Sequence, residues 1–582
     1  MKGFFRSLAH RRLIPFIEPF EKRLKAILSP SDWAVVIVLG LIMMLSAGAI
    51  IASVSLSFTK TVPASGGTYV EGVVGTPRFI NPLLAVSDAD RDLTALVFSG
   101  LMKANPDGSL SPDIASSYTL SSDQLTYTFT ISDKARFQDG TAVTADDVAF
   151  TVKEAQDPDV KSPARANWDG VTVNVISEKT VSFTLKSPYA PFLANTTMGI
   201  LPKHLWQNVT SEEFPFSTLN AQPVGSGPYR FGTLKENSSG IPVEYDLVAA
   251  KAGTRIPYIQ TFILKFYDNA DDLKTGLNQG EVNAAYSIDD KGLFAAHAVN
   301  QAVLGRVFGV FFDQSQNPVF ADKAVRQALD LAVDKPAIVS SVLGGHGSTI
   351  DGPLPPTSVS ASSGGASEKD RLAQAKALLQ NDGWKPGPDG ILAKTVTVGS
   401  KKQALKLQFS LATSNAPELK ATAQMVAADW HALGAQVDLQ FFDQSDLSVS
   451  VIRPRKYDAL LFGLVVGSDL DLYAFWDSSQ RNDPGLNIAL YANADVDKKL
   501  EALRTVTDSV LRIQKAADVA NEIASDTPAV FLYAPYFIYV TPPSLEGLTL
   551  GTISSPSDRF DDVDQWYLAK EQVWPIFTKR TQ

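Results

Sequence analysis

The sequence contains no cysteine among its 582 residues. The chain therefore has no disulfides, no thiolate metal site and no cysteine nucleophile, and no cysteine is present to carry a lipid anchor. Histidine is scarce as well, and its five copies are scattered without the i, i+4 pairing of a helical metal site. They are His10, His204, His297, His346 and His431. We expect neither a metal nor any other cofactor.

The common sequence motifs of enzymes are also missing. The sequence has no Gly-x-Ser-x-Gly elbow, no phosphate loop, no dinucleotide fingerprint and no His-Glu-x-x-His motif. Three pairs of adjacent aspartates occur, but neighbouring side chains on a helix or strand point apart, whereas catalytic carboxylates must converge. We interpret the pairs as helix caps or surface groups and predict that the chain is not an enzyme, with a hydrolase as the weakest alternative. The pairs are Asp146-Asp147, Asp271-Asp272 and Asp561-Asp562.

The formal net charge of −10 is unevenly distributed along the chain. Residues 1–31 carry a net charge of +5, which leaves −15 on the remainder. Nucleic-acid binding needs clustered lysine and arginine against phosphate, so we expect no nucleic-acid partner for this acidic body. The acidic charge is interpreted as a contribution to solubility. The stretch Lys2–Lys25 mixes basic and apolar residues, which suits the anionic inner surface of a membrane.

A long charge-free run follows the basic segment. Residues 33–59 contain no charged side chain, and about 20 apolar residues suffice to cross a bilayer as a helix. Because basic residues precede the run, the positive-inside rule places residues 1–32 in the cytoplasm. We predict a single transmembrane helix over 33–59 that anchors the rest of the chain outside the cytoplasm.

Two other interpretations of the apolar run stay open. A cleaved signal peptide is one, since Ala47-Gly48-Ala49 resembles a small-x-small cleavage site, although the preceding basic region is long and the apolar run continues beyond it. A buried core helix is the other. The Pro/Gly/Ser-rich residues 60–67 predict a linker, with the folded domain beginning near Thr68.

Hydrophobic periodicity divides the body into a β-rich first part and an α/β second part. Apolar residues alternate with threonine and serine from Leu125 to Ser132, which is typical of a half-buried strand. Helical spacing with a Thr144 cap predicts a helix over Ala145–Gln156. Further elements are predicted as helices at Ala324–Val333 and at Leu419–Leu433, with a stop at Gly434, and as strands at Val181–Leu185, Leu405–Leu411, Val437–Phe441 and Tyr457–Val466. Residues Thr357–Ser367 read as a flexible surface loop.

Six short motifs, in order along the body, resemble those of the family 5 extracellular solute-binding proteins, the receptors of dipeptide, oligopeptide and nickel ABC importers. Together they cover nearly the whole body. They are Phe79–Leu83 with Leu96–Leu101, Arg136–Gly140 with Thr144–Val148, Pro223–Tyr229, Gly280–Asn283, Ala324–Val333 and Asn487–Asp497.

The resemblance implies an α/β, two-lobed periplasmic-binding-protein-like fold with three subdomains. Lobe I would comprise about 68–106, 200–305 and 544–582, with a β-rich insertion at 107–199, and lobe II would comprise 306–543. Two crossovers would hinge the lobes, which close on the ligand. Gly140, Gly225 and Gly227 are expected to supply turns with positive φ, and Arg326 is expected to pair inside the fold.

The resemblance also points to Gly467–Ser479 as the ligand-binding segment. In peptide-binding members an aspartate here pairs with the ligand's α-ammonium group, and a closed cleft of low dielectric strengthens that contact. This sequence has Gly463-Leu464 and Asp471-Leu472 where the family has Gly-Trp and Asp-Pro. The amine anchor is therefore Asp469, Asp471 or neither, the last case leaving both as loop or helix caps. Trp476 either walls a side-chain pocket or packs in the core.

We therefore predict a membrane-anchored receptor that captures peptides and delivers them to an ABC permease and ATPase complex. Three alternatives stay open. The same fold could bind a sugar, a metal chelate or another solute, the chain could act as a sensor or adhesion receptor, and a hydrolase is the weakest of the three.

Overall fold

The computed structural model describes residues 29–286, 297–356, 368–398, 401–467 and 470–574. Most of the predicted basic segment, the predicted surface loop Thr357–Ser367 and the candidate anchor Asp469 lie outside the described residues. The described chain is mixed α/β and divides into two units, a smaller one with residues up to Ala64 and from Ala569 onward, and a larger one of Ser65–Leu568.

The helices alternate with strands through most of the chain. In chain order they are α1 Pro30–Phe58, α2 Asp88–Val97, α3 Ala145–Gln156, α4 Arg165–Trp168, α5 Phe192–Asn195, α6 Lys203–Trp206, α7 Ala270–Gln279, α8 Lys323–Ala332, α9 Lys335–Val342, α10 Glu368–Asn381, α11 Pro417–Leu433, α12 Gln444–Asp446, α13 Tyr473–Trp476, α14 Ala494–Leu503 and α15 Ser509–Asp526. Short 3₁₀ turns lie at Phe214–Phe216, Thr218–Asn220, Pro318–Ala321, Ser478–Gln480, Pro556–Phe560 and Val563–Gln565, and a π-helix lies at Leu447–Ile452.

The strands are β1 Lys60–Ala64, β2 Thr68–Val74, β3 Met102–Ala104, β4 Leu110–Pro112, β5 Ala115–Leu120, β6 Thr126–Ile131, β7 Thr172–Ser177, β8 Thr180–Thr184, β9 Tyr229–Glu236, β10 Pro242–Ala249, β11 Thr261–Tyr267, β12 Ala284–Tyr286, β13 Ala298–Val303, β14 Arg306–Phe312, β15 Gly347–Thr349, β16 Lys385–Pro386, β17 Leu392–Val398, β18 Lys401–Lys406, β19 Gln408–Ser414, β20 Gln436–Phe442, β21 Ala459–Val465, β22 Ala529–Thr541 and β23 Ala569–Val573.

In the smaller unit, helix α1 is long and apolar enough to cross a membrane. Its window Ser31–Ile50 has a mean hydropathy of 2.5, and none of it is buried against the rest of the described chain. The helix begins three residues before the predicted span and is followed at once by strand β1, which pairs antiparallel with β23. The predicted linker at 60–67 is therefore largely a strand, and its partner lies some 500 residues away along the chain.

In the larger unit, two groups of sheets belong to two lobes. The first lobe, residues 65–304 and 536–568, contains the order β12-β2-β11-β10-β9, with β2 parallel to both neighbours. It also contains the sheet β5-β6-β8-β7, which lies in the predicted β-rich segment and shares the same core. The second lobe, residues 305–535, contains the order β20-β19-β21-β14 and two further core clusters.

Strand β22 runs through both lobes. Its first half pairs with β14 and β15, and from Tyr536 onward it pairs with β13. The other crossing lies between β13 and β14, where the Leu304 amide donates to the Pro535 carbonyl at 3.1 Å. The two crossings therefore lie side by side at the boundary between the lobes. Residues Tyr536–Thr541 pair with β12 and β13, and the extent of lobe II to residue 543 stays a prediction.

Most of the predicted elements are present in the structure. Helix α3 has the predicted bounds, and the Asp147 carboxylate accepts the Thr144 amide at 2.9 Å, as expected for a capping pair. Helix α11 ends at Gly434, whose φ of +108° is left-handed. The strand predicted at Leu405–Leu411 is instead the end of β18 and the beginning of β19, which meet at Leu407.

Two of the three glycines expected at left-handed turns have another role. Gly140 has a φ of +94°, as predicted. Gly225 and Gly227 do not adopt a left-handed φ, and a β-carbon at either position would lie 2.1–2.8 Å from backbone atoms of Val97. These glycines permit a close approach of two backbones. Arg326 is buried, as expected, and donates to three backbone carbonyls, including that of Thr527 at 3.0 Å.

Candidate functional site

The candidate ligand segment begins at the boundary between the lobes. Strand β21 is buried because its residues are almost all apolar, and it pairs with β14 and β19 on either side. At its end the Val466 amide donates to the Gly305 carbonyl at 2.9 Å, and the Gly305 amide donates to the Ile553 carbonyl at 2.7 Å. The segment that follows β21 therefore begins beside the crossing between the two lobes.

A cavity of about 680 Å³ opens between the lobes at this point. The first lobe contributes three short segments, and the second contributes two prolines, the ligand segment and the start of α15. The lining residues that the two lobes contribute are Pro106–Ser109, Gln301–Val303 and Leu550–Thr552 from the first, and Pro355, Pro356, Gly467, Leu470, Arg512 and Ile513 from the second. Its volume is in the range of small-molecule and cofactor sites.

A second cavity of about 380 Å³ adjoins the first. Gly108, Gly467 and Thr552 line both, so the two cavities are parts of one cleft. The smaller cavity lies mainly in the first lobe and has more charged residues in its lining: Lys103, Asp113, Arg255, Asp558 and Asp561. We refer to the two together as the interlobe cleft.

Of the two candidate amine anchors, Asp471 lies within the described residues and Asp469 does not. Asp469 lies outside the described residues, but Gly467 and Leu470, which flank its position, both line the interlobe cleft. Asp471 does not line the cleft. The residues that contact it, Tyr189, Tyr473 and Arg504, line a separate cavity.

Asp471 already has partners within the protein. Its carboxylate lies 3.4 Å from the Arg504 guanidinium, accepts the Tyr189 hydroxyl at 3.4 Å and accepts the Tyr473 amide at 3.1 Å. The side chain is 14% exposed. The Arg504 guanidinium also stacks on two rings, at 4.6 Å from the Tyr189 centroid and 4.4 Å from that of Tyr473. Asp471 could take up a ligand amine only by exchanging this internal cation.

Trp476 belongs to the core of the second lobe. It is 1% exposed, and its ring lies 5.7 Å from Phe531 and 6.0 Å from Tyr491. Of the two roles that the sequence left open, the structure fits core packing. The Trp476 ring packs against the aromatic side chains of Phe311, Phe531 and Tyr491, and its interpretation as a wall of a side-chain pocket stays a prediction.

Sequence reasoning missed the charged residues of the smaller cavity. Burial, together with the charge of Asp558, raises the pKa of Asp561 to about 8. The interpretation of the pair Asp561-Asp562 as helix caps or surface groups does not anticipate that Asp561 lines the cleft. No local pattern reveals this position, because the cavity is closed by segments more than 400 residues apart along the chain. Among the described residues, no group of three or more histidine, aspartate or glutamate side chains could hold a metal ion.

Comparison of the whole sequence with known proteins supports the assignment of the chain to the family that its motifs resemble. The model of the middle region of bacterial extracellular solute-binding proteins, family 5, matches residues 109–485. The oligopeptide-binding protein AppA of Bacillus subtilis is 27% identical over 554 residues, covering 92% of this chain and 98% of that protein. Protein XP55 of Streptomyces lividans is 30% identical, covering 82% and 86%.

Solved structures agree with the fold. The structure of Bacillus subtilis AppA in complex with a nonapeptide matches with a TM-score of 0.63 at 28% identity, covering 87% of this chain and all of that one. HbpA2 from Haemophilus parasuis gives a TM-score of 0.70 at 20% identity over 84% and 98% of the two chains, and this shows the fold alone. The predicted two-lobed binding-protein fold and the predicted family are confirmed. The chain belongs to family 5 of the bacterial extracellular solute-binding proteins.

Proposed function

We propose that this protein is the receptor of an ABC importer, which captures peptides in the interlobe cleft and delivers them to a permease and ATPase complex. The observation that carries the proposal is the cleft itself, a cavity of about 680 Å³ lined by both lobes at their two adjacent crossings. The similarity over nearly the whole chain to an oligopeptide-binding protein supports peptides as the ligand.

The crossings suit a receptor that closes on its ligand. Backbone at Leu304-Gly305 and at Pro535-Tyr536 joins the lobes, so rotation there changes few dihedral angles while the two sheets stay intact. We propose that the lobes rotate about these crossings. The detailed three-part division, with residues 107–199 as an insertion, stays a prediction from the resemblance.

Asp469 is the amine anchor that we propose. Its neighbours Gly467 and Leu470 line the cleft, whereas Asp471 does not and is paired with Arg504. A carboxylate at this place would pair with the α-ammonium group of a peptide, and closure of the lobes would exclude water from the pair. Main-chain hydrogen bonds from the neighbouring loops would bind the peptide with little regard to its side chains.

Calorimetry with a peptide panel tests this assignment. We expect short peptides to bind, N-acetylation to weaken binding strongly, and Asp469→Asn to reduce the binding free energy by about 2–5 kcal/mol. Asp471→Asn is expected to have a smaller effect, and the exposed Asp446→Asn serves as the matched control of charge in the same lobe. Equal affinity of wild type and Asp469→Asn for a free-amine peptide would show that the anchor is elsewhere.

We further propose that helix α1 is retained as a membrane anchor with the receptor on the outer face. Its 29 residues can span a bilayer, and the preceding basic residues favour a cytoplasmic N-terminus. The intact mass of the protein purified from the membrane fraction tests the anchor. We expect the mass of the full-length chain. The mass of a chain that begins after Ala49 would show that the helix is part of a cleaved signal peptide.

A further inference from the structure

The smaller cavity of the interlobe cleft is an acidic recess in the first lobe. Three carboxylates, those of Asp113, Asp558 and Asp561, line it together with two cations. Asp558 is satisfied by the protein, because its carboxylate accepts the backbone amides of Ser554 and Ser555 at 2.8 and 2.9 Å.

Both cations of the recess already have partners. Lys103 Nζ lies 3.0 Å from the carboxylate of Asp562, a residue outside the lining of the recess. Arg255 Nε donates to Asp564 at 2.7 Å, and a second nitrogen of the same guanidinium donates to the Asp561 carbonyl at 2.5 Å. Neither cation is therefore available as a strong binding site for a ligand anion.

Among the charged residues that line the recess, Asp561 is the one whose carboxylate has no contact partner within the described residues. Within the described residues, its carboxylate accepts no hydrogen bond and forms no ion pair within 4.0 Å. Asp113, by comparison, accepts the Thr254 hydroxyl at 2.5 Å and lies 4.0 Å from Arg255. A half-buried carboxylate in this state lacks the compensation that protein interiors normally supply.

A second unsatisfied group lines the same recess. Ser99 is 3% exposed, and its hydroxyl has no hydrogen-bond partner within the described part of the chain. Buried hydroxyls are rarely left in this state, because an unmade hydrogen bond has a substantial desolvation penalty. A carboxylate and a hydroxyl, both without partners and both at one small cavity, match the needs of one ligand group that carries a positive charge and several N–H donors.

We propose that this recess is a subsite for a cationic side chain of the bound peptide, an ammonium or guanidinium group, with Asp561 as its counter-ion and Ser99 as a hydrogen-bond acceptor. The proposal rests on the proposed function of the cleft as a peptide site. Phe98, Met102 and Leu110 also line the recess and would contact the aliphatic stem of a lysine or arginine. The cleft would then select for basic peptides through a residue of the first lobe, separate from the amine anchor of the second.

The charge of Asp561 supplies a signature of such binding. Since burial and Asp558 raise the pKa of Asp561 to about 8, this carboxyl is mainly protonated at pH 7 in the free receptor, although Arg255 and Lys103 favour its ionised form. A ligand cation stabilises the ionised carboxylate, so binding at pH 7 releases a proton. Affinity for a basic peptide should rise as the pH increases from 6 to about 8 and then level off.

The test uses the full chain in detergent and two peptides. The peptides are identical except at one position, where one has lysine and the other has norleucine. Titration calorimetry is expected to show that the wild type prefers the lysine peptide by about tenfold or more. Asp561→Asn should abolish the preference while it retains binding of the norleucine peptide. Ser99→Ala should reduce the preference by a few fold. Asp271→Asn, at an exposed aspartate at the start of α7, is the control with the same substitution away from the recess.

A measurement on the wild type alone covers the case in which a variant does not fold. Calorimetry in buffers of different ionisation enthalpy should show that the lysine peptide releases nearly one proton more than the norleucine peptide at pH 7. Equal affinities, equal proton release, or a preference that persists in Asp561→Asn, would each overturn the subsite while both peptides still bind. If neither peptide binds the wild type, the proposed peptide receptor falls along with the subsite.

Discussion

Two side-chain clusters of similar composition lie in different parts of this molecule. Each consists of an arginine, carboxylate partners and tyrosine rings. One is centred on Arg559 and ties the segment after β22 to the start of the first lobe. The other is centred on Arg504 and joins the second lobe to Tyr189 of the first.

The Arg559 cluster is closed to solvent. The guanidinium is 0% exposed, contacts both oxygens of Asp92 at 2.8 and 2.7 Å, and donates to Glu71 at 2.9 Å. The Tyr539 hydroxyl donates to the second oxygen of Glu71 at 2.8 Å. The Tyr286 ring lies 4.2 Å from the guanidinium. Every group has a partner, which is the condition for retaining charges in a protein interior.

The Arg504 cluster is open to solvent. Arg504 is 34% exposed, and its guanidinium lies 3.4 Å from the Asp471 carboxylate. A backbone hydrogen bond accompanies it, from the Ala190 amide to the Arg504 carbonyl at 2.7 Å. Water can replace the ion pair of Arg504 with Asp471 at little cost, because both side chains are already partly hydrated. The difference indicates that burial, and not residue type, separates a contact that stabilises the fold from one that can break when lobes move apart.

The largest effect is expected from Arg559→Met. It leaves the carboxylates of Glu71 and Asp92 buried without a cation, which costs about 3–5 kcal/mol of unfolding free energy. Denaturant titration of the first lobe measures this loss. Arg559→Lys, which cannot reproduce the bidentate contact, should lie between wild type and Arg559→Met. Losses of similar size from Arg559→Met and Arg504→Met would remove the distinction between the clusters.

Stability should also depend on pH through the buried cluster. Burial raises the pKa of Glu71 to about 7, opposed chiefly by the charge of Arg559. The folded state therefore holds a proton that the unfolded state releases above about pH 4.5. This contribution is fully present below pH 4.5 and is lost as the pH rises through 7, a change of about 3 kcal/mol.

Chemical denaturation at pH 5 and pH 8 measures this dependence. Glu71→Gln, which cannot titrate, should reduce the slope of stability against pH, and Glu501→Gln, an exposed change of the same type, should not. An unchanged slope in Glu71→Gln would show that Glu71 stays ionised over this range.

Arg504→Met is expected to cost only about 1 kcal/mol in stability, since both the ion pair and the two ring contacts are partly exposed. Its larger effect should be on closure, because the contacts join the two lobes. We expect faster dissociation of a bound peptide, measured by stopped-flow fluorescence. Unchanged dissociation with a loss of stability above 3 kcal/mol would identify this cluster as a part of the folded core.

The smallest effect is expected from Tyr189→Phe. It removes a hydrogen bond of 3.4 Å to Asp471 and keeps the ring on which Arg504 stacks, so stability should change by less than about 0.5 kcal/mol. Comparison with Tyr189→Ala by the same dissociation assay separates the ring from the hydroxyl. Equal dissociation rates for the two variants would show that the ring contributes nothing to closure.

Local elements could be predicted from the sequence where local chemistry determines them. Helix α3 follows from its apolar spacing and the Thr144–Asp147 cap, and helix α11 ends where Gly434 supplies a left-handed residue. Strand β21 follows from a nearly continuous apolar run. The family resemblance supplied the order of the lobes, which no local pattern contains.

Features that depend on residues far apart in the chain could not be predicted. Strand β1 is a strand because it meets β23, and a Pro/Ser-containing segment shows no sign of that partner. Gly225 is required by the backbone of Val97, which is more than 100 residues away along the chain. The place of Asp561 in the cleft could not be predicted, because its cavity is assembled from five segments that are distant along the chain. In the same way, the burial of Trp476 depends on Phe531 and Tyr491 in later elements.

Native mass spectrometry of the full chain, released from detergent micelles, tests most directly whether the interlobe cleft binds peptides. Dissociation and sequencing of the bound solute should identify intact peptides, and an excess of an N-acetylated peptide should fail to displace them. A sugar, a metal chelate or another non-peptide solute as the bound species, or displacement by the N-acetylated peptide at equal affinity, would contradict the account.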